Sequence, residues 1–341
     1  MPIITAALGN VGANGRVTSA RGMMLTMPSV KIAAPRCASN SVNKVERPSF
    51  TSETKRGKTP KGLSIPRTCG SGLGRDIAFA LAAKGYRVFG TAIANGEIAE
   101  LQRASGGKVT LSMCDITDEK SVQSWALGLT DTLGEAGLDV LISNAGILTP
   151  GPIEILPLPA IRREFEVNVF GAISVINAFL PALRKARGRI VQISTWTASL
   201  PLPFNGPSGA SKAAMEVFAT VYRSELKQFG IEVVVAAAGN MKTGGPEKTA
   251  AALARVASGM TPEQRELYGH AFKSFTTAFN GMRNSGLDSA SAASRVIDLA
   301  EQVPAPIRAT VGQDSEEILN LVREKSDAEL DALRLRLVGL K

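Results

Sequence analysis

The feature that most constrains the fold is a regular alternation, from residue 72 onward, of short apolar runs with segments of helical periodicity. The apolar runs, each bounded by turn residues, occupy residues 86–91, 108–113, 138–143, 189–194 and 231–237, with a weaker run at 307–311. The helical segments occupy residues 72–83, 118–133, 161–184, 210–229 and 290–303, and leucines at helical spacing predict one closing helix over 316–337. Short buried strands that alternate with amphipathic helices are typical of a parallel sheet covered on both faces. We therefore predict an α/β fold with a doubly wound parallel sheet.

The net charge of +9 belongs to the N-terminal part of the chain. Residues 1–67 hold 11 basic residues and two acidic ones, which leaves 28 of the 39 basic and 28 of the 30 acidic residues to the rest of the chain. A domain without excess positive charge offers no basic groove to a phosphate backbone. We therefore expect no nucleic-acid partner.

The first 45 residues contain no acidic residue and are rich in Ser, Thr, Ala and Gly, a composition found in organelle transit peptides. The same composition suits a disordered leader, because it has too little apolar periodicity to fold, or a start region that is not native sequence. We predict a disordered basic leader at residues 1–60 and a single domain at residues 61–341. The expected location is the cytoplasm or, if the leader is a genuine transit peptide, a mitochondrion or plastid.

Cysteine spacing and hydropathy give no support for a disulfide-stabilised protein, a zinc protein or a membrane-spanning protein. The three cysteines have no paired spacing, so neither a disulfide framework nor a zinc site is indicated. The longest apolar segment, residues 167–183, is shorter than a bilayer requires and contains Asn168, Asn177 and Pro181. We interpret that segment as a buried core helix and expect no transmembrane segment.

A glycine-rich turn opens the first helical segment. It comprises Gly70, Ser71, Gly72, Leu73, Gly74 and Arg75. Glycines in such a turn let the backbone approach a pyrophosphate, which then lies at a helix N-terminus where amide hydrogens and the helix dipole favour anions. Further motifs follow in order along the chain: Asp115 after a strand, Asn144-Ala145-Gly146 after the next, Asn168 on a helix, Ser194-Thr195 at a strand end and Lys212 near the start of a helix.

This ordered series of motifs resembles the short-chain dehydrogenase/reductase family, over about residues 70–311. The resemblance is nearest to the steroid and retinol dehydrogenase branch, through residues 88–91 and 168–180. It implies a Rossmann-fold oxidoreductase that binds a nicotinamide dinucleotide.

The resemblance also implies roles for individual residues. Asp115 would bond the adenine amino group, Asn168 would hold a helix kink and a water of the proton relay, and Lys212 would bind the nicotinamide ribose hydroxyls. The implied dinucleotide contacts are the glycine turn, Ile93, Asp115, Asn144, Ala145, Gly146, Lys212, Gly239 and Thr243.

One departure from the family pattern lies on the dinucleotide side. The first glycine of the family turn is replaced by Thr68, which follows Arg67, and Pro66 stands in the segment where the family has its apolar first strand. A proline removes a ladder hydrogen bond and does not suit a central strand. We therefore expect a weak first strand and a damaged phosphate site.

The second departure concerns the hydroxyl groups that would supply the proton to the substrate. Ser208 stands at the family's tyrosine position, one helical turn before Lys212, and Thr195, with Ser194 beside it, replaces the family's serine. A serine hydroxyl is a far weaker acid than a phenol, whose pKa is about 10, and losing a positioned acid typically lowers a rate by roughly 10²–10⁴. We expect a slow or altered enzyme whose catalytic set is Asn168, Ser194, Thr195, Ser208 and Lys212.

The dinucleotide preference is predicted from the end of the second strand. An acidic residue there would bind the ribose hydroxyls of NAD, and a basic residue would favour NADP. Residues 91–95 contain neither, and Ile93 stands where this branch usually has arginine. Arg75 could meet a 2′-phosphate, which favours NADP.

Two functions remain open from the sequence. The first is an NAD(P)-dependent oxidoreductase that interconverts a hydroxyl and a carbonyl on a lipophilic small molecule, with residues 200–204 and 244–286 as its lid. The second is a catalytically silent relative that binds a dinucleotide or a protein partner. A homodimer or homotetramer is predicted from apolar residues on more than one face of two helical segments. These residues are Val169, Ile173, Ile176, Met215, Phe218 and Val221.

Overall fold

The computed structural model contains a central sheet of parallel strands. In chain order these are β1 (Leu63–Pro66), β2 (Arg87–Ala92), β3 (Val109–Met113), β4 (Val140–Ser143), β5 (Arg189–Thr195), β6 (Glu232–Ala238) and β9 (Arg308–Val311), while β7 (Met241–Lys242) and β8 (Leu287–Asp288) pair separately. Their order in the sheet is β3-β2-β1-β4-β5-β6-β9, with every neighbouring pair parallel. The chain reverses its direction of travel across the sheet between β1 and β4. Ligands of such sheets bind beyond the carboxyl ends of the strands at this switch point.

The structure describes residues 63–66, 72–242 and 245–340, and the side chains of residues 72–242 and 249–340. These residues belong to one compact unit, Arg56–Lys341. The predicted leader at residues 1–60 lies outside the described residues, and so do Arg67, Thr68, Gly70, Ser71 and Thr243.

Helices cover both faces of the sheet. On one face α1 (Gly72–Ala83), α2 (Asn95–Ala104) and α9 (Ser289–Glu301) bury an aliphatic core against the strands. On the other face α3 (Glu119–Leu133), α5 (Gly171–Ala186) and α6 (Gly206–Leu226) bury a second core, in which the Trp125 and Phe179 rings meet edge to face at 4.9 Å. The doubly wound parallel sheet predicted from the sequence is therefore confirmed.

The segment before α5 is a continuous helical run. It consists of α4 (Leu158–Phe165) and a π-helical turn at Glu166–Phe170. Among the described residues this run, Leu158–Ala186, is the one long and apolar enough to cross a bilayer by length and composition. Half of its apolar window is buried inside the protein, as in the core helix of a globular domain.

A third core lies beyond the carboxyl edge of the sheet, in the region predicted to be a substrate lid. It contains α7 (Gly245–Gly259) and α8 (Pro262–Asn284), and the Phe204 ring lies 5.6 Å from the Phe272 ring and 5.4 Å from the Phe275 ring. Leu200 and Leu202 are buried in this core. These two leucines therefore pack the fold rather than line an open entrance.

The first strand is present despite its proline. Residues Ser64, Ile65 and Pro66 pair with β4, and Pro66 is the last residue of the strand. A proline at the end of a short strand removes one ladder hydrogen bond and leaves the rest of the pairing intact.

The C-terminal segment differs from the sequence-based expectation of a single helix. It forms α10 (Gln313–Glu324) and α11 (Asp327–Leu337), separated at Lys325 and Ser326. The Ser326 side chain accepts from the Glu329 backbone N–H while the Glu329 carboxylate accepts from the Ser326 backbone N–H, a capping box that starts a new helix. Leucine spacing alone carried no sign of this break.

Candidate active site

The predicted site residues approach one another beyond the carboxyl ends of β4 and β5. Asn168 forms hydrogen bonds to two of the elements that carry them. It lies in the π-helical turn and is buried, and its Oδ1 accepts from the Ile147 N–H at 2.8 Å while its Nδ2 donates to the Ile147 carbonyl at 3.0 Å. The same Nδ2 lies 3.0 Å from the Ser211 hydroxyl oxygen on α6. Asn168 therefore fixes the loop after β4 to the helix that carries Lys212, and the π turn in which it lies interrupts the regular α-helix.

Lys212 reaches the same region from α6. Its half-buried ammonium donates to the Ile193 carbonyl of β5 at 3.1 Å. Gly146 closes the space beside it, because a Cβ at position 146 would lie 3.3 Å from Asn168 Oδ1 and 3.4 Å from Lys212 Nζ. Three of the predicted residues, Gly146, Asn168 and Lys212, are thus brought together.

Ser208 lies in the first turn of α6. Residues four apart on a helix share a face, so Ser208 and Lys212 lie on the same side of α6. The Ser208 side chain is half-buried, and its carbonyl accepts from the Ser211 hydroxyl at 3.0 Å. Ser208 therefore stands beside the group formed by Asn168 and Lys212.

The two hydroxyls at the end of β5 have different surroundings. The buried Ser194 hydroxyl donates to Glu216 Oε1 at 2.6 Å, and Glu216 is in turn paired with Arg308. The half-buried Thr195 Oγ1 lies 3.4 Å from the Thr197 backbone nitrogen. Successive side chains of a strand point to opposite faces of the sheet. The Ser194 hydroxyl is bonded to Glu216 on one face of β5, and Thr195 therefore presents its hydroxyl on the opposite face.

A buried carboxyl that the sequence analysis did not single out lies against Asn168. Glu164 on α4 has no exposed surface, and its Oε2 accepts from the Thr149 N–H at 2.8 Å. Burial is the main cause that raises the pKa of Glu164 to about 7, against the hydrogen bonds of Thr149 and the positive charge of Lys212, which lower it. The sequence did contain a signal, since an acidic residue stands one helical turn before Asn168 on the apolar face of the predicted helix.

Asp115 follows β3 and is exposed. Its Oδ1 accepts from the Thr117 N–H at 2.9 Å and from the Thr117 hydroxyl at 2.7 Å, and Arg163 lies 3.3 Å from its Oδ2. The backbone hydrogen bond from Thr117 is the largest of the contacts that lower the pKa of this carboxyl. Asp115 is therefore held as a carboxylate at the edge of the site.

The described part of the glycine turn begins α1. Gly72 has a φ of +61°, a backbone conformation that favours glycine, and Leu73 and Gly74 are buried. Arg75 forms an ion pair with Glu100 at 2.8 Å and lies 5.2 Å over the Phe79 ring. Ile93, after β2, is 73% exposed. The structure therefore places Ile93 at the surface and leaves Arg75 half-buried, with its guanidinium already occupied.

The remaining predicted contacts flank the same edge of the sheet. Ala145 is buried and Asn144 is half-buried directly after β4. Gly239 follows β6, and a Cβ there would clash with the Asp314 carboxylate, which accepts from the Asn240 N–H at 2.7 Å. The close approach of Asp314 explains why position 239 is glycine, independently of any ligand.

Comparisons with known proteins point to one family. The short chain dehydrogenase family model matches residues 68–253, more than half of the chain. Estradiol 17-beta-dehydrogenase 2 from Mus musculus is 33% identical over 176 residues, which are 51% of this chain and 46% of that protein. Retinol dehydrogenase 5 from Homo sapiens is 34% identical over 176 residues, which are 51% of this chain and 55% of that protein. The chain thus spans about half the length of these curated relatives.

A solved structure agrees at the level of the fold. The crystal structure of a short chain dehydrogenase from Burkholderia cenocepacia in complex with NADP superposes with a TM-score of 0.60 at 23% identity, over 81% of this chain and 96% of that chain. The family match and the curated relatives confirm the resemblance to the steroid and retinol dehydrogenase branch that the motifs indicated.

Proposed function

This chain belongs to the short-chain dehydrogenase family, and we propose on that ground that it is an NAD(P)-dependent oxidoreductase that interconverts a hydroxyl and a carbonyl group on a lipophilic small molecule. The observation that carries the proposal is the meeting of Gly146, Asn168 and Lys212 beyond the carboxyl ends of β4 and β5. This is the position at which doubly wound sheets bind dinucleotides.

The residues fit a dinucleotide that lies across this edge. A Cβ at Gly146 would press on both Asn168 and Lys212, so the absence of a side chain keeps the space beside the lysine open. When bound, the dinucleotide supplies or accepts the hydride. Lys212 would hold ribose hydroxyls, Thr195 would orient the substrate oxygen, and Asn168 would keep the loop after β4 in register with α6.

NADP is the proposed form of the dinucleotide. No acidic residue occurs at positions 91–95 to bind the ribose hydroxyls of NAD, and Arg75 is the cation beside the glycine turn. Its ion pair with the half-exposed Glu100 is of the kind worth about 1 kcal/mol or less, so a phosphate can displace it.

The proposed substrate is lipophilic, since the site is flanked by exposed apolar side chains. In the loop and helix that follow Gly146, Ile147 is 40%, Ile153 65% and Leu158 55% exposed. The names of the two relatives, an estradiol and a retinol dehydrogenase, point to the same class of substrate.

Fluorescence titration with NADPH, followed by turnover of a panel of steroid ketones and retinal, tests the proposal. We expect saturable binding and consumption of NADPH that depends on the ketone, with Lys212→Ala abolishing turnover. Binding without any turnover would reject the oxidoreductase.

That outcome would support a second candidate function, a catalytically silent dinucleotide-binding protein. The observation in its favour is Ser208, a poor acid at the position where the resembled family pattern has a phenol. The silent protein and the slow enzyme differ only in turnover, so the same measurement decides between them.

A homodimer through α5 and α6 completes the proposal. Val169, Ile176 and Met215, which the sequence analysis assigned to this interface, are buried in the chain's own core and contribute nothing to it. Of the other three predicted residues, Ile173 is half-buried, and Phe218 and Val221 are 41% and 46% exposed. The neighbouring Phe170 and Val217, which the prediction did not include, are 56% and 65% exposed. Light scattering at micromolar concentration should give twice the chain mass or a multiple of it, and Val221→Glu should shift it toward the monomer.

A further inference from the structure

We propose that Glu164 is the proton reservoir of this site, which exchanges a proton with Lys212, so that the Lys212 ammonium, rather than a phenol at position 208, protonates the substrate oxygen. This inference rests on the proposed oxidoreductase function and deepens it. It addresses the question that Ser208 raises, namely where the proton comes from.

The position of Glu164 is the first argument. It lies in the last turn of α4, four residues before Asn168, with no exposed surface. Its Oε2 accepts from the Thr149 N–H at 2.8 Å, and its Oε1 lies 3.4 Å from Asn168 Nδ2. A carboxyl group removed from water is expensive to ionise unless other groups stabilise its charge. A carboxyl group in this position, directly beside a candidate site, therefore calls for a functional explanation.

The connection to Lys212 is the second argument. The Asn168 side chain contacts Glu164 on one side and Ser211, the neighbour of Lys212 in the chain, on the other. Asn168 Oδ1 and Lys212 Nζ also bound the same gap beside Gly146. The Lys212 charge lies close enough to lower the pKa of Glu164, as the last and smallest of its causes.

Charged groups on the other neighbouring elements point elsewhere. On α4 itself Arg162 and Arg163 are exposed, and Arg163 is engaged by Asp115 and Thr117. Glu166 in the π turn is exposed, and the loop contributes Thr149, which is uncharged. Among the described residues, Lys212 is therefore the charged group that affects the pKa of Glu164.

Burial raises the pKa of Glu164 whereas Thr149 and Lys212 lower it, and the result is a pKa of about 7. A group that exchanges protons during turnover works best when its pKa lies near the operating pH, since both forms are then populated. An ordinary surface carboxyl, with a pKa of about 4, would already be fully ionised there.

The proton steps of ketone reduction balance as follows. As the carbonyl carbon receives the hydride supplied by the dinucleotide, an N–H bond of the Lys212 ammonium breaks and an O–H bond forms on the substrate oxygen. The neutral amine of Lys212 then takes the proton of the Glu164 carboxylic acid through water in the gap beside Gly146, which Asn168 Oδ1 and Lys212 Nζ bound. Because Glu164 has no exposed surface, one proton from solvent returns to its carboxylate along the same path, and alcohol oxidation runs the same steps in reverse.

The test compares Glu164→Gln with Glu166→Gln, an exposed carboxyl two residues away. Glutamine keeps an oxygen for the Thr149 N–H but holds no transferable proton. For ketone reduction we expect Glu164→Gln to lower kcat at least tenfold at about pH 6, and to match the unaltered chain at about pH 9, where Glu164 is already deprotonated. Glu166→Gln should follow the unaltered chain at both pH values. An equal loss at both pH values would mean that Glu164 only positions Asn168, which would overturn the proposal.

A second measurement needs no turnover. Infrared difference spectra of the ligand-free protein should show a carboxylic acid band that titrates at about pH 7, is absent from Glu164→Gln and is retained in Glu166→Gln. Lys212→Met should raise its midpoint, because the stabilising positive charge is gone, and Lys212→Arg should restore it toward the original value. A midpoint unaffected by Lys212→Met would reject proton exchange between the two groups. Failure of the oxidoreductase proposal would look different, because the unaltered chain would reduce no ketone while the band still responded to Lys212.

Discussion

The two sides of the candidate site are built differently. The proton-transfer side, made of Gly146, Glu164, Asn168 and Lys212, is held by hydrogen bonds of 2.8 to 3.1 Å, of which the one from Asn168 to Ser211 is buried and the others are partly buried. On the phosphate side the structure describes the start of α1 and the end of β2, where Ile93 is exposed and the half-buried Arg75 forms an ion pair with a half-exposed glutamate.

This difference sets the scale of the effects expected on each side. Buried hydrogen bonds are costly to break, because the partner left behind stays unsolvated. A surface ion pair is worth about 1 kcal/mol or less. The proton-transfer side should therefore respond steeply to single substitutions and the phosphate side only slightly.

The largest expected effect is on stability, at Glu164. Burial raises its folded-state pKa from 4.5 to about 7. Below about pH 4 the carboxyl is protonated in both states and contributes nothing. Between the two pKa values the folded state holds the proton more tightly than the unfolded state, so stability falls as the pH rises. Above about pH 7 the free energy of unfolding has fallen by the full amount, about 3 kcal/mol.

Urea unfolding of Glu164→Gln and the unaltered chain across this range measures the effect. Relative to the unaltered chain, the free energy of unfolding of Glu164→Gln should rise by about 3 kcal/mol from acidic to alkaline pH, because the variant has no carboxyl to ionise. Glu166→Gln, at an exposed position, serves as the control and should show no such trend. A constant difference between Glu164→Gln and the unaltered chain would show that the buried carboxyl keeps an ordinary pKa.

The second prediction concerns Ser208. Ser208→Tyr should place a phenol on the face of α6 that carries Lys212, near Thr195, and raise ketone reduction at least tenfold. Lys212→Ala should remove the gain, because the ammonium that lowers the phenol pKa is lost. Steady-state kinetics with NADPH measures both variants. No gain despite measurable dinucleotide binding would show that position 208 is not where the proton is delivered.

Sequence patterns predicted the regular part of this molecule well. The apolar runs located six of the seven strands of the main sheet, because buried parallel strands have a strong local signal. The short polar helix α2 was missed, since burial of Leu101 alone gives little periodicity. The break between α10 and α11 depends on a capping box, which leucine spacing does not reveal.

For the site, motif order predicted which residues would meet but not how each is engaged. Asn168 and Lys212 converge, whereas Ser194 is taken by Glu216 and Arg75 by Glu100. Both of these pairings join residues from different elements, and a single sequence does not show them. Glu164 was missed although it stands on the apolar face of the predicted helix, since its full burial and its hydrogen bond from Thr149 are seen only in the packed structure.

The third prediction tests how tightly the proton-transfer side is packed. Gly146→Ala should lower turnover about fivefold, because its Cβ would lie within 3.4 Å of Asn168 Oδ1 and Lys212 Nζ. Gly128→Ala in α3 is the matched control. No atom lies within 4 Å of its Cβ position, so it should leave turnover unchanged and stabilise the helix by about 0.5–1 kcal/mol. Unchanged turnover in Gly146→Ala would mean that Asn168 and Lys212 have room to move.

The smallest expected effect is on the phosphate side. If Arg75 meets the 2′-phosphate of NADP, its guanidinium must leave Glu100 and the Phe79 ring, and the net gain is the difference between two modest interactions. Arg75→Gln should therefore weaken NADPH binding only about threefold and leave NADH binding unchanged.

Glu100→Gln tests the same role of Arg75, because it should change the affinity for NADPH in the opposite direction. Removing the competing carboxylate releases Arg75 and also removes a negative charge, so NADPH binding should tighten about twofold while NADH binding stays constant. Combined with Arg75→Gln, the substitution should have no further effect on the preference, since no guanidinium is left to release. Fluorescence titrations with both dinucleotides measure all three variants. Equal changes in NADPH and NADH affinity would place Arg75 away from the 2′-phosphate, and the preference for NADP would then lose its structural basis.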